Sequence, residues 1–118
     1  MEQNREPMVL LTLRIETSQD NREEALQVLR GIRGPISVMP GFLDFYCGES
    51  IDNPNVFFLI EKWESLSRLN KYITSEDFGD TLALIDLSKS DPEFDIHTVS
   101  HTAAMEALVL LRRKGGLR

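Results

Sequence analysis

At 118 residues with a formal net charge of −6, the chain can bury one modest core and has the wrong sign of charge for nucleic acid. A single cysteine, Cys47, excludes an internal disulfide and any cysteine-built metal centre. The polar opening MEQNREP lacks the apolar centre of a secretion signal, and no apolar run approaches the ~20 residues that span a bilayer; a cytoplasmic protein with no membrane or nucleic-acid partner is expected.

Residues 1–7 read as a flexible lead-in, and Met8 to Glu16 as the first strand. Val9, Leu11, Leu13 and Ile15 line one face of it, while Met8, Leu10 and Thr12 make the other face partly apolar too. Ser18-Gln19-Asp20-Asn21 caps a helix, with Asp20 and Glu23 at capping-box spacing and Ala25, Leu26, Leu29, Ile32 and Ile36 as its buried stripe. Gly34-Pro35 is expected to kink or end that helix, since proline removes a donor and crowds the preceding turn. Met39-Pro40-Gly41 then turns the chain into a second strand, Phe42 to Glu49.

The turn formers Asp52-Asn53-Pro54-Asn55 join it as a hairpin to a third strand, Val56 to Trp63. Ser65 suits a helix cap, and Leu66, Leu69 and Ile73 share a face of the short helix after it, with Tyr72 close to that face. Thr74-Ser75-Glu76-Asp77 ends this helix and caps another, Glu76 to about Leu87, predicted to bury Phe78, Leu82 and Ile85. After the loop Ser88–Pro92, Phe94 to Ser100 alternates as a fourth strand. Thr102 can cap a last helix, Ala103 to about Lys114, with Ala104, Met105, Leu108 and Leu111 on its apolar face and Arg112-Arg113-Lys114 at its cation-favouring end.

The order β-α-β-β-α-β plus a helix defines an α+β, ferredoxin-like domain over 8–101, followed by a C-terminal helix and tail over 102–118. Strands one and three are apolar on both faces, yet the helices of such a fold cover only one side of the sheet. The uncovered face exceeds what soluble monomers tolerate, so a second copy is expected to close it by two-fold symmetry.

The stretch FFLIEKWESLSRLNKYITSEDF carries a resemblance. Glu61, Trp63, Leu69, Tyr72, Ser75 and Phe78 fall at the offsets of the central signature of the antibiotic biosynthesis monooxygenase family, and the resemblance extends from about Val9 to Ser100. Tyr72 stands where many members have His. The resemblance implies a dimeric α+β barrel with the two sheets face to face. It also implies oxidation of a quinol or other small phenolic by molecular oxygen, without metal or flavin, in a pocket between the sheet and its own helices. Such chemistry needs an apolar, water-excluding pocket, a group that takes a phenolic proton, and donors for the developing oxyanion.

In that pocket Trp63 would stack on a small aromatic or apolar ligand; as a purely structural residue it plugs the sheet–helix seam. Tyr72 would donate its hydroxyl to a substrate oxygen; otherwise its ring sits in the core with the hydroxyl in water. His97 is the side chain best suited to exchange protons near neutral pH, with a satisfied interface histidine as its structural alternative; Phe94, Ile96 and Val99 give both faces of its strand an apolar claim and leave its side open. Catalytic roles therefore fall to Tyr72 and His97, and substrate contacts to Trp63, Asn70, Tyr46 and Phe78, although the neighbours of Asn70 suggest an exposed helix face. Glu61 is expected to close a salt bridge, Arg14 to be within reach of the pocket, and His101 to be solvated.

The resemblance also brings in haem-degrading relatives of the same fold, which rely on an Asn on the first strand and a His on a helix; VLLTLRIE has no Asn and neither His is predicted helical, so haem is disfavoured. A His97–His101 metal site is disfavoured too, the pair being about 13 Å apart on an extended strand. No cofactor or metal is therefore expected. Two functions remain: a homodimeric, cofactor-free monooxygenase, or a non-catalytic dimeric module of the same fold that binds a small molecule or serves a stress-accessory role.

Overall fold

The computed structural model describes residues 6–100 and 104–116. Strands β1 (Met8–Glu16), β2 (Phe42–Glu49), β3 (Val56–Trp63) and β4 (Glu93–Val99) form one sheet in the order β2-β3-β1-β4. Every neighbouring pair is antiparallel. Helices α1 (Arg22–Ser37), α2 (Leu66–Ile73) and α3 (Gly79–Asp86) complete the α+β, ferredoxin-like body, and α4 (Ala104–Gly116) comes after it in the chain.

Period-two alternation sorts the strands into two faces. Val9, Leu11, Leu13 and Ile15 of β1 and Phe57, Leu59, Glu61 and Trp63 of β3 are all buried on the helix side. Opposite them, Met8, Leu10, Thr12 and Arg14 line up with Phe58, Ile60 and Lys62 on a face that no helix covers. Phe58 is 38% exposed there.

Helix α1 covers the first face with Ala25, Leu29, Ile32 and Ile36, and Leu26 is only partly buried. The expected capping box does not form: a 3-10 turn, Gln19–Asn21, leads in, and neither Ser18 nor Asn21 caps through its side chain. Nor does Gly34-Pro35 end the helix, which runs on to Ser37. Pro35 and Gly31 are exposed, so the carbonyl that loses its partner can turn to water while buried Ile36 holds the last turn in place.

The chain between β3 and β4 departs from its predicted phase. Leu66 opens α2 at the surface, 43% exposed, while Leu69 and Tyr72 are buried and Ile73, as predicted, packs partly buried against the core. Glu76–Phe78 is a separate 3-10 turn rather than the start of α3. That tighter winding rotates α3 about its axis, so Thr81 and Leu84 point inward while Leu82 is 51% exposed.

On β4, Phe94 and Ile96 face the helix side opposite Leu13 and Leu11, yet both stay partly exposed at the sheet edge. Residues 105–114 of α4 are exposed all round, including the expected apolar positions Met105, Leu108 and Leu111. The proposed Thr102 cap and His101 lie outside the described residues. No helix among the described residues is long and apolar enough to cross a membrane.

Candidate functional site

The site is built where β3 ends and α2 begins. Gly41, at φ 86°, takes a left-handed conformation that glycine adopts without strain, and a Cβ there would run into the Arg68 side chain. Its carbonyl accepts from the Glu64 amide at 2.8 Å, tying the start of β2 to the end of β3. A bulge between Phe42 and Asp44 then inserts Leu43 as an extra residue, leaving Phe42 opposite Trp63. Ser65 caps α2 by accepting from the Arg68 amide at 3.2 Å. At the other end, the Ser75 hydroxyl donates to the Tyr72 carbonyl at 2.7 Å and the Thr74 hydroxyl to the Asn70 carbonyl at 3.0 Å. Ser75 thus closes α2 rather than capping the next turn.

Held at both ends, α2 lays Tyr72 flat on Trp63, ring centroids 5.0 Å apart and planes at 23°. Phe42 meets the same indole edge-on at 5.8 Å, and Phe78 meets Tyr72 edge-on at 5.3 Å. Trp63 and Tyr72 are fully buried, so both plug the seam. The Tyr72 hydroxyl does not reach water, contrary to the structural alternative expected for it; it shares a hydrogen bond of 3.3 Å with the buried Thr81 hydroxyl. Burial first of all pushes the Tyr72 phenol up to about 12, with Glu61, Asp80 and Asp77 adding to the rise and Thr81 opposing it.

Glu61 is the ionisable group that sequence reasoning undervalued. Among the described residues it closes no salt bridge. Its Oε1 accepts from the Trp63 indole N–H at 3.1 Å, while Oε2 is buried with no partner. Its register partners across the sheet are Leu11 and Phe45, and along its own strand Leu59 and Trp63 share its face, so apolar side chains surround it. Desolvation raises its carboxyl to about 7, against the smaller lowering effect of the indole hydrogen bond. The signal was present in the sequence: Glu61 has the same parity as Phe57, Leu59 and Trp63.

The other expected site residues lie elsewhere. His97 pairs with Leu10 and so projects from the uncovered face, its Nε2 3.3 Å from the Thr12 hydroxyl. The whole sheet separates it from Tyr72. Tyr46, 52% exposed on that same face, donates to Asp44 at 2.5 Å. This bond holds the Asp44 carboxyl low and the Tyr46 phenol high. Arg14, also on the open face, meets Glu93 at 3.5 Å. Asn70 is on the exposed side of α2. The structure therefore brings together Trp63, Tyr72 and Phe78, adds Glu61 and Thr81, and leaves out Asn70, Tyr46 and His97.

At the same end of the sheet, an open groove of about 790 Å³ is lined by Met8, Leu43, Ser65, Arg68 and Lys71, with the carboxylates Glu6 and Glu64. Its walls are neighbours of the Trp63 cluster: Leu43 follows Phe42, Ser65 caps α2, and Met8 precedes Val9, the register partner of Trp63. Glu6 accepts from both the amide and the hydroxyl of Ser67, which holds its carboxyl below the usual range.

The fold recurs in solved structures. The chain superposes on a conserved protein from Methanosarcina mazei Go1 with a TM-score of 0.73 at 15% identity, over 80% of this chain and 94% of that one. Rv0793 from Mycobacterium tuberculosis gives 0.73 at 18% identity, over 81% and 98%. SnoaB, a cofactor-independent oxygenase from Streptomyces nogalater, gives 0.70 at 19% identity, over 82% and 97%. At these identities the likeness defines a class of fold, a small ferredoxin-like α+β domain. No curated protein matches the chain. The family model for antibiotic biosynthesis monooxygenases matches residues 8–84, and the chain belongs to that family.

Proposed function

We propose that the protein is a homodimeric, cofactor-independent monooxygenase that oxidises a quinol or small phenolic with molecular oxygen in the cytoplasm. The observation that carries this reading is the Glu61–Trp63–Tyr72 cluster. It joins a stacking surface, a hydroxyl donor and an unpaired carboxyl on the water-shielded side of the sheet. In such a site Tyr72 acts as a hydrogen-bond donor to the developing oxyanion, because a phenol raised to about 12 stays protonated at neutral pH. The dimer reading rests on the uncovered face, where Leu10 of β1 and Phe58 and Ile60 of β3 are left without a helix over them. The exposed, unpaired Cys47 suits a reducing compartment.

Oxygen uptake by purified protein with 1,4-dihydroxynaphthalene tests the reaction. Tyr72→Phe should lower turnover by about 10- to 1000-fold with the fold unchanged, as loss of one oxyanion donor does. Equal rates for the two proteins would remove Tyr72 from the chemistry. A second reading, a non-catalytic dimeric module, is favoured by the close packing of Phe42 and Tyr72 on Trp63, which leaves the indole fully buried. Ligand binding without oxygen consumption would select it.

A further inference from the structure

With His97 on the far face of the sheet, a phenol bound on the helix side needs a different base. Among the described residues the cluster offers two ionisable side chains, and Tyr72, whose phenol is raised to about 12, keeps its own proton at neutral pH. The other is Glu61. A buried carboxyl oxygen with no hydrogen bond is costly to keep, and apolar isosteres would fill the same space without that cost. Its remaining lone pairs are open to a donor that enters the seam.

Resting on the phenol-oxidising reading above, we propose that Glu61 is the proton acceptor for the substrate hydroxyl, with Trp63 as its positioning residue. The Trp63 indole N–H holds Oε1 and so presents Oε2 as the free atom. A planar ring that takes the place of the Tyr72 ring on Trp63 would set its hydroxyl against Oε2. In the step, the phenolic O–H bond breaks and an O–H bond forms on Oε2. The substrate is left as its phenolate, the form that passes an electron to dioxygen, and Glu61 is left neutral.

The surroundings suit this exchange. From β1 and β2 Glu61 faces Leu11 and Phe45, and Arg33 of α1 lies over the Phe45 ring, its guanidinium 5.0 Å from the ring centroid. From α2 it faces Tyr72, behind which stand Asp77 and Asp80. No cation in this set pairs with Glu61, and burial favours its neutral form. Its carboxyl, raised to about 7, changes protonation state where the reaction would run.

The test measures the rate of oxygen uptake with 1,4-dihydroxynaphthalene, and the binding of 2-naphthol by calorimetry, from about pH 5 to about pH 8. Wild-type turnover should fall on the acid side with a midpoint near 7, as Glu61 becomes protonated. Affinity for neutral 2-naphthol should rise roughly 10- to 100-fold through the same range, as its hydroxyl gains a charged acceptor. Glu61→Gln keeps the shape and the indole contact; it should lose both pH dependences and turn over roughly 100- to 10,000-fold more slowly. Trp63→Phe removes the indole donor and should move the acid limb to higher pH. That shift separates positioning from packing even if Glu61→Gln folds poorly.

Oxygen uptake whose acid limb survives in Glu61→Gln overturns the role of Glu61 and leaves the phenol-oxidising reading standing. A Glu61-dependent rise in 2-naphthol affinity without oxygen uptake keeps the proton acceptor and overturns the oxidation. Neither binding nor uptake overturns both.

Discussion

The two faces of this sheet are made from the same strands and treat an ionisable side chain in opposite ways. On the helix side Glu61 is fully buried, with no cation paired to it among the described residues, and its carboxyl rises to about 7. One residue on, Lys62 lies on the open face opposite Leu10, level with Asp44. Arg14, Glu93, Asp95 and His97 gather on that face too. The open face is apolar in the middle and charged around it, which suits a surface that meets a copy of itself. The closed face is mostly apolar, and beside Trp63 its buried polar groups are Glu61 and the Tyr72–Thr81 pair, which suits a site for chemistry.

The largest effect that tests this contrast is a pair of adjacent phenylalanines. Phe57→Ala empties the closed side and should cost about 3–5 kcal/mol in chemical denaturation. Phe58→Ala, on the open side, should cost the protomer less than about 1 kcal/mol and instead weaken self-association, read by sedimentation equilibrium. Equal losses of folding stability with no change in association would mean that the open face is not an interface.

Next comes pH. Glu61 is raised in the folded state, so the folded protein holds a proton that the unfolded chain releases above its ordinary value of 4.5. Stability is therefore full below 4.5, falls as pH rises toward about 7, and levels off above, a loss of about 3 kcal/mol. Glu61→Gln should flatten that decline in urea melts measured across the range. A slope that persists in the variant would place the responsible group elsewhere.

A smaller loss is expected at the entrance to the closed side. Ser65→Ala removes the cap of α2 and should cost about 1 kcal/mol, while shifting the environment of the single Trp63 in fluorescence. Smallest of all, Arg14→Ala breaks an open-face ion pair whose side chains are both largely exposed, and thermal melts should move by less than about 0.5 kcal/mol equivalent.

How much of this was legible beforehand depends on the range of the interactions concerned. Local periodicity determined the four strands, their order with the helices, and the parity that sets Leu59, Glu61 and Trp63 on one side of β3. The spacing from Glu61 to Phe78 was also enough to point to the family that the chain matches over residues 8–84. Helix phase beyond a tight turn was not legible: the 3-10 winding at Glu76–Phe78 exchanged Leu82 for Thr81 and Leu84, and nothing in the local pattern separates that turn from an α-helical one.

What the tertiary structure alone decided concerns partners far apart in the chain. The side taken by His97 depends on its register with Leu10, on a strand 87 positions earlier in the sequence, and a slip of one residue would have put it next to the core instead. Glu61 could be read as buried, but its lack of a counter-ion emerges only when Leu11 and Phe45 close on it from both neighbouring strands. Composition determines which groups can ionise; the long-range packing decides which of them does so near neutral pH, because only packing removes water and withholds the opposite charge.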